Sequence, residues 1–262
     1  MGKLTKAMIY KSFGIEFKKD KIFHPVLGWI NPLLVNGNEK IGKGIWHFST
    51  LPTNEFFEVY INLVKYVLKG TCPCHCIGCY ATSGNYNYQN VKDSLGVKTW
   101  LVYNDLEFVK KAIQAQIIAD KIEFIRIHAS GDFFSMEYVD MWHDIAKENA
   151  NVTFWTYTKL KQAENAFDDL PNANIVKSVI PHKGVNYGHC DYILALYEYL
   201  TGLGKKVYIC RCGIDKNQHC TNCKGCSKND YVLFLEHSTG YKAEKDPLFP
   251  VLKKLIESQS NQ

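Results

Sequence analysis

Hydrophobic and polar positions alternate along this chain in two periods, and the switches between them mark the elements. Apolar residues recur at helical spacing over 104–119 (NDLEFVKKAIQAQIIA) and over 135–149, where Ser135 stands as a candidate N-cap. Between these helices, 122–129 (IEFIRIHA) is a short apolar run rich in β-branched residues, which predicts a buried strand. The pattern repeats downstream. A strand is predicted over 151–158 (NVTFWTYT), a short helix over 161–170 and a strand over 174–180. A helix over 190–204, closed by Gly202 or Gly204, and a strand over 205–210 follow. Upstream, 54–68 (NEFFEVYINLVKYVL) carries helical periodicity with Asn54 as N-cap and Gly70 as its stop. Residues 1–50 hold turn signals at Asn36-Gly37-Asn38, Gly42 and Gly44, and predict strands and loops.

Strands alternating with helices across short connections predict an α/β fold around a parallel sheet. Such sheets bind ligands at the C-terminal ends of their strands. Ser130-Gly131-Asp132, Thr156-Tyr157-Thr158 and Cys210 all fall at predicted strand ends, on one rim.

Composition narrows the class of function. A net charge of +5 over 262 residues is too weak to imply nucleic acid without a local patch. No apolar run approaches the roughly 20 residues of a membrane span. The N-terminus lacks an apolar signal core, and Lys6 breaks the myristoylation pattern, so a cytoplasmic protein with no membrane partner is expected. In that reducing setting the ten cysteines point to metal rather than disulfides. All but Cys190 lie in two short windows.

The first window is Cys72-Pro-Cys74-His-Cys76-Ile-Gly-Cys79. Thiolates this close repel one another unless a cation neutralises them. Cys72, Cys76 and Cys79 have C-x₃-C-x₂-C spacing, which leaves one iron of a [4Fe–4S] cluster open. With Cys74 included, the four could close a zinc site or a complete cluster. The second window carries Cys220, Cys223 and Cys226 at C-x₂-C-x₂-C spacing, with Cys212 favoured as a fourth ligand and Cys210 as the alternative. Zinc suits this set as well.

The C-x₃-C-x₂-C spacing resembles the signature of radical S-adenosylmethionine (SAM) enzymes. Gly78 stands where those enzymes often place an aromatic residue, and Tyr80 follows the third cysteine instead. The resemblance implies a partial TIM-like barrel with SAM bound on the open iron and cleaved to a 5′-deoxyadenosyl radical. It implies an electron donor such as flavodoxin or ferredoxin. It assigns Ser130, Gly131 and Asp132 to the SAM amino group, and Thr156 and Thr158 to the rest of the cofactor pocket. A second resemblance covers more of the chain: GCYA, HASGDFFSMEYVDMW, FWTYTK and the late cysteines are similar to the phage-associated family named for gene product 88. It names no substrate. A nucleotide, a nucleic acid or a peptide all remain open.

The expected organisation is a radical SAM-like α/β domain over 1–209, with an N-terminal extension, and a cysteine-rich cluster-binding lobe over 210–262. Two rivals stand beside the enzyme. One is a non-catalytic zinc or iron–sulfur protein that binds nucleic acid or a protein. The other is an iron–sulfur redox or sensor protein. Among the remaining residues, His128 is a core or site histidine, Arg126 and Lys159 are candidates for an anionic group, and Cys190 is a candidate buried thiol. His219 is a possible ligand, and Glu236 and His237 are possible rim residues.

Overall fold

The computed structural model describes residues 4–37, 41–74, 76, 79–178, 188–211, 220–223, 225–235 and 242–259. Cys212, His219, Glu236 and His237 lie outside them. The chain opens on a helix, α1 (Lys6–Ser12), where sequence predicted only strands and loops. Seven residues are too few to display a period, but Thr5 caps the helix by accepting from the Met8 N–H. Three antiparallel strands follow: β1 (Phe17–Lys18), β2 (Lys21–His24) and β3 (Gly28–Ile30). Next come β4 (Val35–Asn36) and β5 (Trp46–His47).

Residues 54–68 are not a helix. They form a hairpin of β6 (Phe56–Ile61) and β7 (Val64–Lys69), turning through Asn62 and Leu63 at φ 47° and 69°. Positive φ at both turn positions matches the twist of the flanking strands. Val59 and Ile61 point inward while Glu58 and Tyr60 point out, so period two prevails over the helical reading.

The hairpin leads, past the first cysteine window, to α2 (Gln89–Asn104), which sequence did not foresee, and α3 (Leu106–Asp120). Asp105 separates them and caps the second by accepting from the Phe108 N–H. The alternation then runs β8 (Phe124–Arg126), α4 (Met136–Glu148), β9 (Thr153–Thr158), β10 (Ala173–Lys177), α5 (Cys190–Gly202) and β11 (Val207–Ile209). It ends with α6 (Cys220–Cys223), β12 (Tyr231–Leu233) and α7 (Phe249–Ser258). Ser135 caps α4 as expected, but 161–170 is a succession of turns opening with the short tight turn Lys161–Ala163, in place of a helix.

The main sheet has the order β10-β9-β8-β5-β4. Its first four strands run parallel and β4 is an antiparallel edge. Among the described residues it is an open mixed sheet, not a closed barrel. β11 and β12 pair in parallel as a separate two-stranded sheet.

One face of the main sheet packs Ile125, Phe154 and Ile175 against α3 and α4 with Phe48, Tyr138 and Trp142. Each such fully buried large side chain is worth about 2 kcal/mol. The opposite face carries Trp155 and Val176, covered by Cys210, Cys226 and Val232. A further small core joins Ile193, Val207, Ile209, Leu252 and Ile256, drawing on both sides of position 209. Among the described residues, no helix is long and apolar enough to cross a membrane.

Lys98, on α2, is only 5% exposed, with its Nζ 5.9 Å from the centre of the Phe48 ring. Burial lowers its ammonium to about 8. A cation whose folded pKa is depressed gives stability that is present above the unfolded value and is lost as pH falls to the folded one. Lys98→Met is therefore expected to raise stability at pH 7 by roughly 1–3 kcal/mol and to shrink that gain by pH 10. Urea unfolding at both pH values checks this, and a less stable variant at pH 7 would show that the amine has a favourable partner.

Candidate metal and cofactor site

The C-terminal rim of the sheet is stitched together beyond the formal strand ends. The Ala129 N–H donates to the Phe48 carbonyl at 3.2 Å and the Thr50 N–H to the Ser130 carbonyl at 3.0 Å. The Ser130 hydroxyl returns to the Thr50 carbonyl at 2.8 Å. Ser130 is therefore sewn to the end of β5.

Gly131 follows at φ +85°, and a Cβ there would lie 1.9 Å from the Thr50 Oγ1 and 2.7 Å from the Thr71 Oγ1. Only glycine fits both the backbone and the space. The two threonine hydroxyls are 2.7 Å apart, and the Asp132 N–H donates to the Thr71 Oγ1 at 3.1 Å. Thr71, which directly precedes the first cysteine, is thus pinned to the turn after β8.

The Asp132 carboxylate is buried and accepts three hydrogen bonds. Its Oδ1 takes the Phe133 N–H and the Thr158 hydroxyl, each at 2.7 Å, and its Oδ2 takes the Lys159 N–H at 2.9 Å. Burial raises its pKa, and these donors and the Lys159 charge hold it back. Asp132 thereby joins the turn after β8 to the end of β9. Thr158 belongs to this network. Thr156 does not: it pairs with the His128 Nδ1 at 3.2 Å, while the His128 Nε2 meets the Tyr138 hydroxyl at 3.0 Å. His128 is a packed core histidine, its pKa lowered to about 3 by burial and by Arg126.

The first cysteine group hangs from this rim. The Cys72 N–H donates to the Thr53 carbonyl and the Cys79 N–H to the Cys76 carbonyl. Cys74 and Cys76 bring their sulfurs to 3.8 Å. Burial, with Asp132 and the neighbouring thiols adding to it, pushes Cys72 up to about 12. Burial and Cys76 push Cys74 up to about 11, and burial raises Cys79. The Lys159 ammonium acts in the opposite direction on Cys74 and Cys79. Burial thus disfavours the thiolate form of Cys72, Cys74 and Cys79.

The donor set fits a thiophilic metal. Sulfurs about 2.3 Å from a tetrahedral zinc lie roughly 3.8 Å apart, the spacing of Cys74 and Cys76. Among the described residues, no three Cys, His, Asp or Glu side chains are gathered so as to hold a metal ion. A cavity of about 190 Å³ adjoins the segment after Cys79, lined by Leu51, Glu55, Phe57, Thr82, Tyr86 and Lys92. It lies outside the Ser130–Asp132 network.

The second cysteine group lies against the opposite face of the sheet. Cys226 is buried, hydrogen-bonded to Tyr157, and pushed up to about 12 by burial. Cys223 meets the Tyr208 hydroxyl at 2.8 Å. Arg126 stacks on Tyr157, 5.1 Å from the ring centre, within electrostatic reach of Cys220, Cys226 and Tyr80.

Thr50, Thr71, Tyr157 and Tyr208 are polar contacts that sequence reasoning did not assign. Only Thr71, adjacent to Cys72, and Tyr157, between the two flagged threonines, carried any positional signal.

No solved structure matches the chain. The Gene 88 protein of Mycobacterium phage L5 is 29% identical over 124 residues, covering 42% of this chain and 50% of that protein. The Gene 88 protein of Mycobacterium phage D29 is 27% identical over the same shares. The chain spans about half the length of these curated relatives. The model of the family Gene product 88 matches residues 32–194, a span that includes the first cysteine group and the whole Thr50–Asp132–Thr158 network. The chain belongs to the gene product 88 family.

Proposed function

We propose that this protein is an iron–sulfur enzyme of the radical SAM type. Cys72, Cys76 and Cys79 hold a [4Fe–4S] cluster, with Cys74 as the alternative ligand. The observation that carries this reading is the anchoring of the cysteine loop. Thr71 ties it to the glycine turn after one parallel strand, and Asp132 ties that turn to the end of the next. The segment that carries the thiols is thus anchored at the rim where a parallel sheet binds ligands.

When bound, such a cluster supplies an electron for cleaving SAM to a 5′-deoxyadenosyl radical. The chain's own residues bind and orient. The Ser130-Gly131 backbone lines the rim and Thr158 completes it from β9, while Thr156, assigned to the pocket by resemblance, is turned to the core histidine His128 instead. Asp132 acts as a positioning residue, since its oxygens already hold Thr158 and Lys159. The Lys159 ammonium offers the positive charge that an anionic cluster or a SAM carboxylate requires. In this reading the open parallel strands form a partial TIM-like arrangement, and the cysteine-rich C-terminal region is a second cluster lobe. The substrate class is a nucleotide, a nucleic acid or a peptide, and a flavodoxin or ferredoxin donates the electron.

A second reading is a zinc-binding module without SAM chemistry, favoured by the 3.8 Å approach of Cys74 and Cys76. Anaerobic purification and reconstitution, with iron, sulfide and zinc counted, separates the two. An EPR signal of the reduced protein that shifts on adding SAM is the expected result. Stoichiometric zinc without iron would replace the enzyme reading with the zinc one. Iron without a SAM response would leave a redox or sensor protein. Cys76→Ala is expected to remove the first site's metal, about half the iron if both sites carry equal clusters, without unfolding the chain.

A further inference from the structure

Arg126 carries a positive charge that the network around Asp132 does not use. It ends β8, level with His47 of β5 and Trp155 of β9, so its side chain rises from the sheet face opposite α3 and α4. Its Nε donates to the His128 carbonyl at 3.0 Å, and the guanidinium lies over the Tyr157 ring, 5.1 Å from its centre. Among the described residues, no carboxylate pairs with it and its two Nη groups have no hydrogen-bond acceptor. The neighbours of opposite tendency are phenols and the thiols of Cys220 and Cys226. His47 does not cancel the charge: burial and the charges of Lys98 and Arg126 lower its pKa to about 4, and its Nδ1 is engaged with the Ser49 hydroxyl at 3.1 Å.

Two tyrosines from the segment after Cys79 close the other side. Tyr80 donates its hydroxyl to the Ala129 carbonyl and so stands at the end of β8. Tyr86 packs edge-on against Tyr80, with ring centres 5.9 Å apart, and both lie within electrostatic reach of Arg126. The Tyr86 hydroxyl has no hydrogen-bond partner among the described residues. Among those residues only the Trp142 Nε1 is both sealed from solvent and without a partner, so the Nη groups and the Tyr86 hydroxyl face solvent. Tyr86 also lines the cavity of about 190 Å³, where Phe57, Leu51 and Asn87 form other parts of the wall. The guanidinium fork and the phenol are all donors. A terminal phosphate offers more acceptor oxygens than a carboxylate does, enough for both Nη groups and the phenol at once. The Phe57 and Tyr86 rings and the Asn87 amide suit a flat heterocycle with polar edges.

We infer that Arg126 and Tyr86 bind the phosphate of a nucleoside monophosphate, whose organic part enters the adjoining cavity past the Tyr86 ring. This narrows the substrate class left open above to a nucleotide, and it stands whether the cysteines hold a cluster, zinc or neither.

The test is isothermal titration calorimetry on the full-length chain, its metal counted, with AMP, inorganic phosphate and acetate as probes. AMP is expected to bind one per chain, more tightly than phosphate, and phosphate more tightly than acetate. Arg126→Met is expected to weaken AMP about ten- to a hundredfold, and Arg126→Lys, which keeps the charge and loses the fork, to recover only part of that. Tyr86→Phe is expected to cost about threefold and carries the test should the arginine variants fail to fold. No binding of AMP at millimolar concentration, or unchanged affinity in the variants, overturns the site. AMP bound no tighter than phosphate overturns the placement of the organic part in the cavity, and acetate bound as tightly as phosphate overturns the choice of phosphate. Metal lost from Arg126→Met, with no AMP bound by the unaltered chain, makes the guanidinium a counter-charge of the cysteines instead. A failure to bind AMP leaves the metal count of the unaltered chain, and with it the proposed function, untouched.

Discussion

Asp132→Ala is expected to destabilise the fold by about 2–4 kcal/mol, the largest loss from any single polar side chain at the rim. Three buried donors lose their acceptor at once: the Phe133 N–H, the Thr158 hydroxyl and the Lys159 N–H. Each orphaned donor costs on the order of 1–3 kcal/mol. Relief of the buried charge offsets part of that sum, because burial already raises this carboxyl. Asp132→Asn is expected to cost less than alanine. It removes the charge and keeps one acceptor oxygen for Phe133 and Thr158, losing chiefly the bond to Lys159. Urea unfolding of the three proteins at pH 7 gives the order. An alanine variant as stable as the unaltered chain would mean that solvent replaces the carboxylate and that the rim is not closed by it.

Gly131→Ala is expected to cost a further class of energy, about 3–5 kcal/mol, through sterics rather than lost hydrogen bonds. At φ +85° an L-residue is strained before any contact is considered, and the new methyl would sit 1.9 Å from the Thr50 Oγ1. Adding Thr50→Ala removes the nearest atom and is expected to recover part of the loss, so the two changes are non-additive. A double variant equal to the sum of the singles would place the strain elsewhere, in the backbone alone. The same variants should lower retention of the metal proposed for the first group, since Thr50 pairs with the hydroxyl of Thr71, the residue just before Cys72, which accepts from the Asp132 N–H.

The elements that sequence located are those in which one period is clean. α4 has a single apolar face, and β9 is a buried run of β-branched and aromatic residues. Residues 54–68 misled because Phe, Val, Tyr, Ile and Leu there satisfy both spacings. The turn that decides between them is Asn62-Leu63, which lacks the glycine that usually announces such a hairpin. α2 escaped notice because its apolar face is interrupted by a buried lysine, Lys98.

At the site, the strand-end position of Ser130-Gly131-Asp132 was legible, and so were the two cysteine groups. The partners of that turn were not, because Thr50 and Thr71 meet it only through the order of strands in the sheet. Thr156 and Thr158 looked equivalent, and by strand alternation they do share a face. They stand two residues apart along β9, one level with His128 and the other with Asp132, and that depth is invisible without coordinates.

The stitch between Thr50 and Ser130 joins residues 80 positions apart, and that between Thr71 and Asp132 joins residues 61 apart. Contacts so distant in the chain form late, after the loop-closure entropy has been met. During synthesis, Cys72 to Cys79 therefore emerge long before the strand ends that shelter them. For that interval the thiols are exposed to oxidants and to adventitious metals. If the first group takes up the proposed cluster, loading would follow the joining of β8 and β9 to β5, and slow, anaerobic expression should favour the loaded form.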